Sequence, residues 1–255
     1  MSYEVSVKRA LVTGASSGIG AAFARRLAAS GWDLVLVGRS APALHQVTDT
    51  PAEILTADLA TTEGTTTVSE RLTTTDHPIG LLVHAAGLTT AHPFGVAPLT
   101  DELAQLQVNV VATTHLLHAA VTGMHARGGG AIVLVGSTAA HWSMGSYAAS
   151  KAWLEVLAGN LIARAPETGV HTLLVRPGFT RTALHDRAGV DNSGVPSWMW
   201  LSPDQVAAEA LTALAEGKTM WTPSRRYRAL VAATTPLPRR WRAAVMSRIA
   251  PLRAR

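Results

Sequence analysis

Two spacings constrain this chain more than anything else in it: Thr13-Gly14-Ala15-Ser16-Ser17-Gly18-Ile19-Gly20 near one end and Tyr147-Ala148-Ala149-Ser150-Lys151 past the middle. The run Arg9–Val12 ahead of the first reads as a strand, and Ile19, Phe23 and Leu27 after it recur at helical spacing. A strand, a glycine turn and a helix set helix N-terminal amides where a pyrophosphate can lie. Side chains in place of the glycines would block that approach. Gly14, Ser16, Ser17, Gly18, Ile19 and Gly20 are therefore candidate phosphate contacts, with an ordinary strand-to-helix turn as the alternative for this segment taken alone.

Tyr147 and Lys151 stand at i and i+4, so on a helix they share one face. A free phenol has a pKa of about 10, and a neighbouring ammonium favours its ionised form. Lowering it by ~3 units takes ~4 kcal/mol of differential stabilisation. By itself the spacing also fits an unrelated Tyr and Lys on a surface helix.

Taken in order with other pieces, the chain resembles the short-chain dehydrogenase/reductase family, in its short-subunit branch, from about Lys8 to Trp221. The pieces are Thr13 to Gly20, Asp58-Leu59, His84-Ala85-Ala86-Gly87, Asn109, Ser137, Tyr147-x-x-x-Lys151 and Arg176-Pro177-Gly178. The resemblance implies hydride transfer between a nicotinamide cofactor and a carbonyl or secondary alcohol. Ser137 would hydrogen-bond the substrate oxygen, Tyr147 would exchange the proton, and Lys151 would hold the nicotinamide ribose and tune Tyr147. Asn109 would hold a relay water. The resemblance also implies that Asp58 accepts from the adenine amino group beside the Leu59 amide, although its position alone also suits a helix N-cap. Pro177, Gly178, Thr180 and Thr182 would orient the carboxamide.

At the end of the second strand the chain carries Val37-Gly38-Arg39-Ser40, where NAD-specific relatives place an acid. A guanidinium there can fork onto a 2′-phosphate, so Arg39 points to NADP(H) in preference to NAD(H). Two departures from the family pattern stand out. Ala85 replaces an asparagine, leaving a backbone contact beside Gly87, and the stretch from Ser137 to Tyr147 is short. Thr138, Ser143 and Ser146 are alternatives for the role of Ser137.

Seven strand candidates alternate with helical stretches: Arg9–Thr13, Leu34–Val37, Glu53–Ala57, Leu81–His84, Ala131–Val135, Val170–Val175 and Thr219–Trp221. Such alternation predicts an α/β fold of one domain, a doubly wound, Rossmann-type parallel sheet with helices on both faces. That domain spans 1–222, with a substrate lid at about 179–202, followed by a basic, helical extension over 223–255. Trp198, Met199 and Trp200 give the lid an apolar cast and suggest a small to medium hydrophobic substrate. Plain packing of an irregular segment explains them equally well.

The formal charge of +5 divides unevenly. Residues 217–255 hold Lys218 and nine arginines without an acid, which is +10, while the remaining 12 basic and 17 acidic residues leave −5. The body offers no general attraction for nucleic acid. In the extension, Trp241, Val245 and Ile249 follow a helical stripe, expected to dock on its own fold or a sister subunit, with anionic membrane as the alternative. Family habit implies a homodimer or homotetramer through the helices of Asn109 and Tyr147, where Trp153, Leu154 and Leu157 are apolar. Zero cysteine, no leader and no long apolar run fit a cytoplasmic protein. His115 and His118 share a helix face without a third ligand at metal spacing, so no metal is expected. His141 is expected to line the substrate mouth. A non-catalytic dinucleotide-binding scaffold is the competing reading.

Overall fold

The computed structural model of the chain describes residues 7–90, 92, 94–142, 145–249 and 253–254. Its strands are β1 (Arg9–Thr13), β2 (Asp33–Gly38), β3 (Glu53–Thr56), β4 (Leu81–His84), β5 (Gly130–Val135), β6 (Val170–Val175), β7 (Val190–Asp191), β8 (Met220–Trp221) and β9 (Arg253–Ala254). Seven of them form one sheet in the order β3-β2-β1-β4-β5-β6-β8, with every pairing parallel. Each of the seven begins and ends within a residue of the sequence-based expectation. The short antiparallel pair β7–β9 was not expected.

The fold is a doubly wound α/β sheet because its central strands are apolar on both faces. Every residue of β5 is buried, as are Leu34 to Val37 of β2, which leaves both faces to be covered by helices. On one face Phe23 and Leu27 of the Gly18–Ala29 helix pack with Val206 and Leu214 of the Pro203–Ala215 helix. On the other, Val68, Leu72, Leu116 and Leu154 form a second core. Local capping sets where helices begin. Thr61 Oγ1 accepts from Gly64 N at 3.0 Å ahead of the Thr62–Thr73 helix, and Ser202 Oγ accepts from Gln205 N at 3.0 Å ahead of Pro203.

The arginine-rich extension packs on the same domain. Its helices Arg225–Thr234 and Arg239–Ile249 send Tyr227 and Met246 into the first core. The helical stripe is rotated from the expected one: Met246 is 1% exposed while Trp241 is 57% exposed, because the helix seats on the Ala139–Trp142 turn through Met246. Beyond it, β9 pairs with β7 in the lid segment. No helix among the described residues is long and apolar enough to cross a membrane.

Candidate active site

The strand order reverses between β1 and β4, since the chain runs outward through β2 and β3 and returns to the other side of β1. The loops leaving those two strands diverge, and a crevice opens at their carboxyl ends. It is a cleft of about 1280 Å³. Every residue expected to touch a cofactor lines it, from Gly14 through Arg39, Asp58 and Gly87 to Thr182, together with Ser137, Tyr147 and Lys151. Asn109 does not line it and lies behind the Gly87-Leu88 segment.

The glycine turn is shaped by contacts that leave no room for side chains. Gly14 has φ +64, and a Cβ there would sit 3.0 Å from the Ala86 backbone. A Cβ on Gly20 would sit 2.3 Å from Gly14 O. The helix that follows has no acid in its first turn, and Ser17 at its N-cap makes no side-chain cap bond. Its first amides are thus left for an anion. This cradle, in a cleft long enough to run from Arg39 to Lys151, fits a dinucleotide.

The turn is tied to β4 by a buried relay through His84. Thr13 Oγ1 accepts from Ala85 N and Ala86 N, both at 3.2 Å, and lies 2.9 Å from His84 Nδ1. His84 Nε2 lies 2.8 Å from Thr113 Oγ1, whose hydroxyl donates to Val108 O at 3.2 Å. With the Thr113 proton committed to Val108, His84 Nε2 donates to Thr113, and the Thr13 hydroxyl donates to Nδ1. One neutral tautomer satisfies every partner. Burial, reinforced by the Lys151 charge, lowers the His84 pKa to about 3.

Ser137, at the carboxyl end of β5, stands close enough to Tyr147 on the Gly145–Ala163 helix to draw the phenol pKa downward. Its Oγ accepts from Ala139 N at 3.1 Å, leaving its proton for the phenol oxygen. Of the described alternatives, Thr138 Oγ1 donates to Pro177 O at 3.2 Å and Ser146 Oγ accepts from Gln105 Nε2 at 3.0 Å. Ser143 lies outside the described residues. The short Ser137–Tyr147 connection is taken up by the helical turn Ala139–Trp142, whose Trp142 is buried.

Lys151 Nζ lies 5.7 Å from the centroid of the Tyr147 ring and donates to Val135 O at 3.0 Å. Burial pushes the Tyr147 phenol up to about 12, against the opposing pull of Ser137, and pushes the Lys151 ammonium down to about 8. The sequence predicts that Lys151 lowers the phenol; in the structure desolvation prevails, because the ammonium is itself buried and turned to a carbonyl. Asn109 sits in a π-helical stretch, Gln107–Ala112, a local widening frequent at functional sites. Its amide is used within the protein: Oδ1 accepts from Leu88 N at 2.8 Å, and Nδ2 donates to Leu88 O at 2.8 Å and Ser150 Oγ at 3.1 Å. Oδ1 keeps a second lone pair for a further donor.

Asp58 is not the N-cap of the following helix, a position that Thr61 holds; Asp58 Oδ1 accepts from Ala60 N at 2.9 Å and the residue lines the cleft. Arg39 is exposed at the mouth and makes no ion pair among the described residues. His115 and His118 are exposed, and no metal-binding group of three His, Asp or Glu occurs among the described residues.

For the lid tryptophans, where packing and a substrate role stood level, packing prevails, as it does around them. Trp198, Met199 and Trp200 do not line the cleft: Met199 is core, Trp200 packs on Phe179 with centroids 5.8 Å apart, and Trp198 is half exposed. His141 turns away from the substrate mouth to the C-terminal extension, with Nε2 3.0 Å from Thr234 Oγ1 and Nδ1 3.3 Å from Arg242 Nη1. Burial and the nearby Arg242 and Arg176 charges bring its pKa down to about 4. Trp153, Leu154 and Leu157 turn inward onto the second core.

Other residues take those places. Arg187, on the Ala183–Arg187 helix, lines the cleft and donates from Nη2 to Ser17 Oγ at 2.8 Å. Thr182 covers Gly18 closely enough that a Cβ there would sit 2.8 Å from Thr182 Cγ2. Tyr227 lies flat against Gly178, where a Cβ would fall 1.9 Å from the ring. Its hydroxyl accepts from Phe179 N at 2.9 Å and donates to Met199 O at 2.8 Å. Neither Arg187 nor Tyr227 belongs to a motif, and only the docked lid and extension reveal them.

Known proteins resemble this chain in sequence and fold. Residues 8–192 match the short chain dehydrogenase family. Sulfoacetaldehyde reductase 2 of Chromohalobacter salexigens is 34% identical over 182 residues, covering 68% of this chain and 72% of that protein. A short-chain dehydrogenase from Sphingobium yanoikuyae, solved in complex with NADPH, superposes with a TM-score of 0.80 at 31% identity, over 90% of this chain and 94% of that one. A bulky-bulky ketone specific alcohol dehydrogenase from Comamonas testosteroni gives 0.76 at 27% identity, over 90% and 93%.

Proposed function

This chain belongs to the short chain dehydrogenase family, and on that premise we propose that it transfers hydride between NADP(H) and an uncharged carbonyl compound or secondary alcohol. The observation that carries the reading is the convergence of Ser137, Tyr147 and Lys151 on the cleft that also holds the glycine cradle. When bound, the nicotinamide supplies or accepts the hydride. The chain's own residues handle the substrate oxygen and its proton.

In the reducing direction a carbonyl oxygen is received between the Ser137 and Tyr147 hydroxyls, both of which line the cleft. Ser137 donates to the oxygen as negative charge builds on it, and Tyr147 delivers its proton to give the alcohol. A phenol held at about 12 is fully protonated at neutral pH, the state needed for reduction. Lys151 stands below Gly87, where a Cβ would come 3.5 Å from Nζ. From there it serves the nicotinamide ribose and returns a proton to Tyr147. Asn109 acts by fixing Leu88 and Ser150, which sets the two helices in register.

For the cofactor, Gly14, Ser16, Ser17, Gly18, Ile19 and Gly20 hold the pyrophosphate, with Arg187 added to them. Asp58, Leu59, Ala85 and Gly87 line the adenosine and ribose path, and Pro177, Gly178, Thr180 and Thr182 the carboxamide. Arg39, exposed beside Ser40 where an acid would repel a 2′-phosphate, supports the preference for NADP(H). The Sphingobium yanoikuyae relative solved with NADPH supports the same preference. A homo-oligomer belongs to the proposal as well, since Leu99, Leu103, Leu106, Val111 and Val156 expose apolar side chains on the Asn109 and Tyr147 helices. So does a cytoplasmic setting.

NADPH oxidation followed by nicotinamide absorbance, with a panel of neutral ketones, tests the reaction. Wild type is expected to turn over at least one of them, and Tyr147→Phe to lose about a hundredfold or more while retaining NADPH binding. NADPH binding without turnover across the panel would favour the non-catalytic reading.

A further inference from the structure

We infer that the C-terminal helix Arg239–Ile249 is the wall that decides which carbonyls enter, and that it admits uncharged substrates bearing a bulky apolar group. The inference rests on the oxidoreductase reading and names the substrate class for it.

The wall is built from the helix's position. Met246 anchors it in the core with Trp142, Met199 and Tyr227. Ala243 and Ser247, one turn apart, and Ala244 beside them then face the cleft. The helix packs beside Ala139–Trp142, the turn that follows Ser137. Arg242 Nη1 donates to His141 Nδ1, so His141 Nε2 donates to Thr234 Oγ1, whose own proton goes to Leu230 O at 2.7 Å. The catalytic loop and the extension are thereby one hydrogen-bonded unit. This unit lies on the β5–β6 side of the sheet, whereas Arg39 and Asp58 follow β2 and β3 on the opposite side of β1. It therefore faces the substrate end of the cleft and not the adenosine end.

The chemistry of that end is largely apolar. Leu88, Phe94, Trp142, Leu184 and Val190 line it, the wall adds Met246 beside the small Ala243, Ala244 and Ser247, and Thr89, Thr90, His92 and Ser146 are its polar members. No carboxylate lines it among the described residues. Lys151 is turned to Val135 O and Arg187 to Ser17 on the phosphate side. Three of the extension's arginines point elsewhere: Arg242 to Leu237 O at 2.8 Å, Arg228 to Thr222 O at 2.9 Å and Arg226 to Trp198 O at 3.2 Å. An anionic substrate would lose its water there without gaining a lysine or arginine as partner. An apolar substituent would fill the space that Ala243, Ala244 and Ser247 leave open.

The test measures kcat/KM for a series of neutral methyl ketones with increasingly large alkyl or aryl groups, and for a keto acid of matched length. Wild type, Ala244→Leu and Ser247→Leu are compared, both positions being exposed to the cleft and tolerant of a larger side chain. Wild type is expected to prefer the bulky neutral ketones over the keto acid. Each variant is expected to shift the ratio of bulky to small ketone against the bulky one by about tenfold or more, with the NADPH Kd, read by fluorescence, unmoved. An unchanged ratio in both variants, or a keto acid accepted as well as the neutral ketones, overturns the wall. If wild type binds NADPH and reduces no ketone, the oxidoreductase reading fails and this inference with it.

Discussion

Arg187 donates to Ser17 Oγ at 2.8 Å, joining the lid to the glycine turn across 170 residues of sequence. The contact lies where the first amides of the Gly18–Ala29 helix would meet phosphate oxygens. A guanidinium there can exchange its serine acceptor for a charged one, a stronger bond. Arg187→Ala is expected to weaken NADPH binding about tenfold and to flatten its dependence on salt, measured by fluorescence titration at two ionic strengths. Unaltered affinity at both would confine Arg187 to holding the lid.

Lys151 is buried and its pKa is brought down to about 8, while Tyr147 stays protonated up to about 12. As pH rises through about 8 the ammonium is lost before the phenol ionises. The profile of kcat/KM for NADPH, which reports groups of the free enzyme, should therefore fall above pH 8. A level profile up to pH 10 would mean that the Lys151 charge is not needed to receive the cofactor.

His84 is neutral in the fold and takes up a proton only near pH 3, whereas the unfolded chain's imidazole does so near its ordinary 6.5. Between these values the unfolded state binds the extra proton. Stability is then complete above pH 6.5 and falls as pH drops toward 3, by up to about 1.4 kcal/mol per pH unit from this group. Urea unfolding between pH 7 and pH 5 should show a shallower fall for His84→Asn than for wild type. Parallel curves would place the acid sensitivity elsewhere.

The sheet and the motif residues were legible because their chemistry is local. A buried parallel strand needs a continuous apolar run, as in Ile132–Val135, and a phosphate turn needs glycine where a Cβ would strike backbone, as at Gly20. Other residues owe their roles to docking between distant segments. His84 has no assigned role in the sequence until Thr13 and Thr113 are seen on either side of its ring. Trp200 looks like a substrate contact in sequence, yet Phe179 and the Arg181 guanidinium, 5.3 Å from its ring, hold it. Docking of the C-terminal extension was legible from its helical stripe, but not the residues that dock it: Tyr227 and Met246 enter the core beside the cleft, while Trp241 stays exposed.

Parallel fluorescence titrations of the protein with NADPH and NADH, on wild type and Arg39→Asp, test the central claim most directly, because they require no known substrate. The expected result is saturable binding with NADPH held about tenfold or more tighter than NADH, and loss of that preference in Arg39→Asp. Equal affinity for the two cofactors in wild type would contradict the role of Arg39. Binding of neither by folded protein would contradict the account of the cleft as a nicotinamide site.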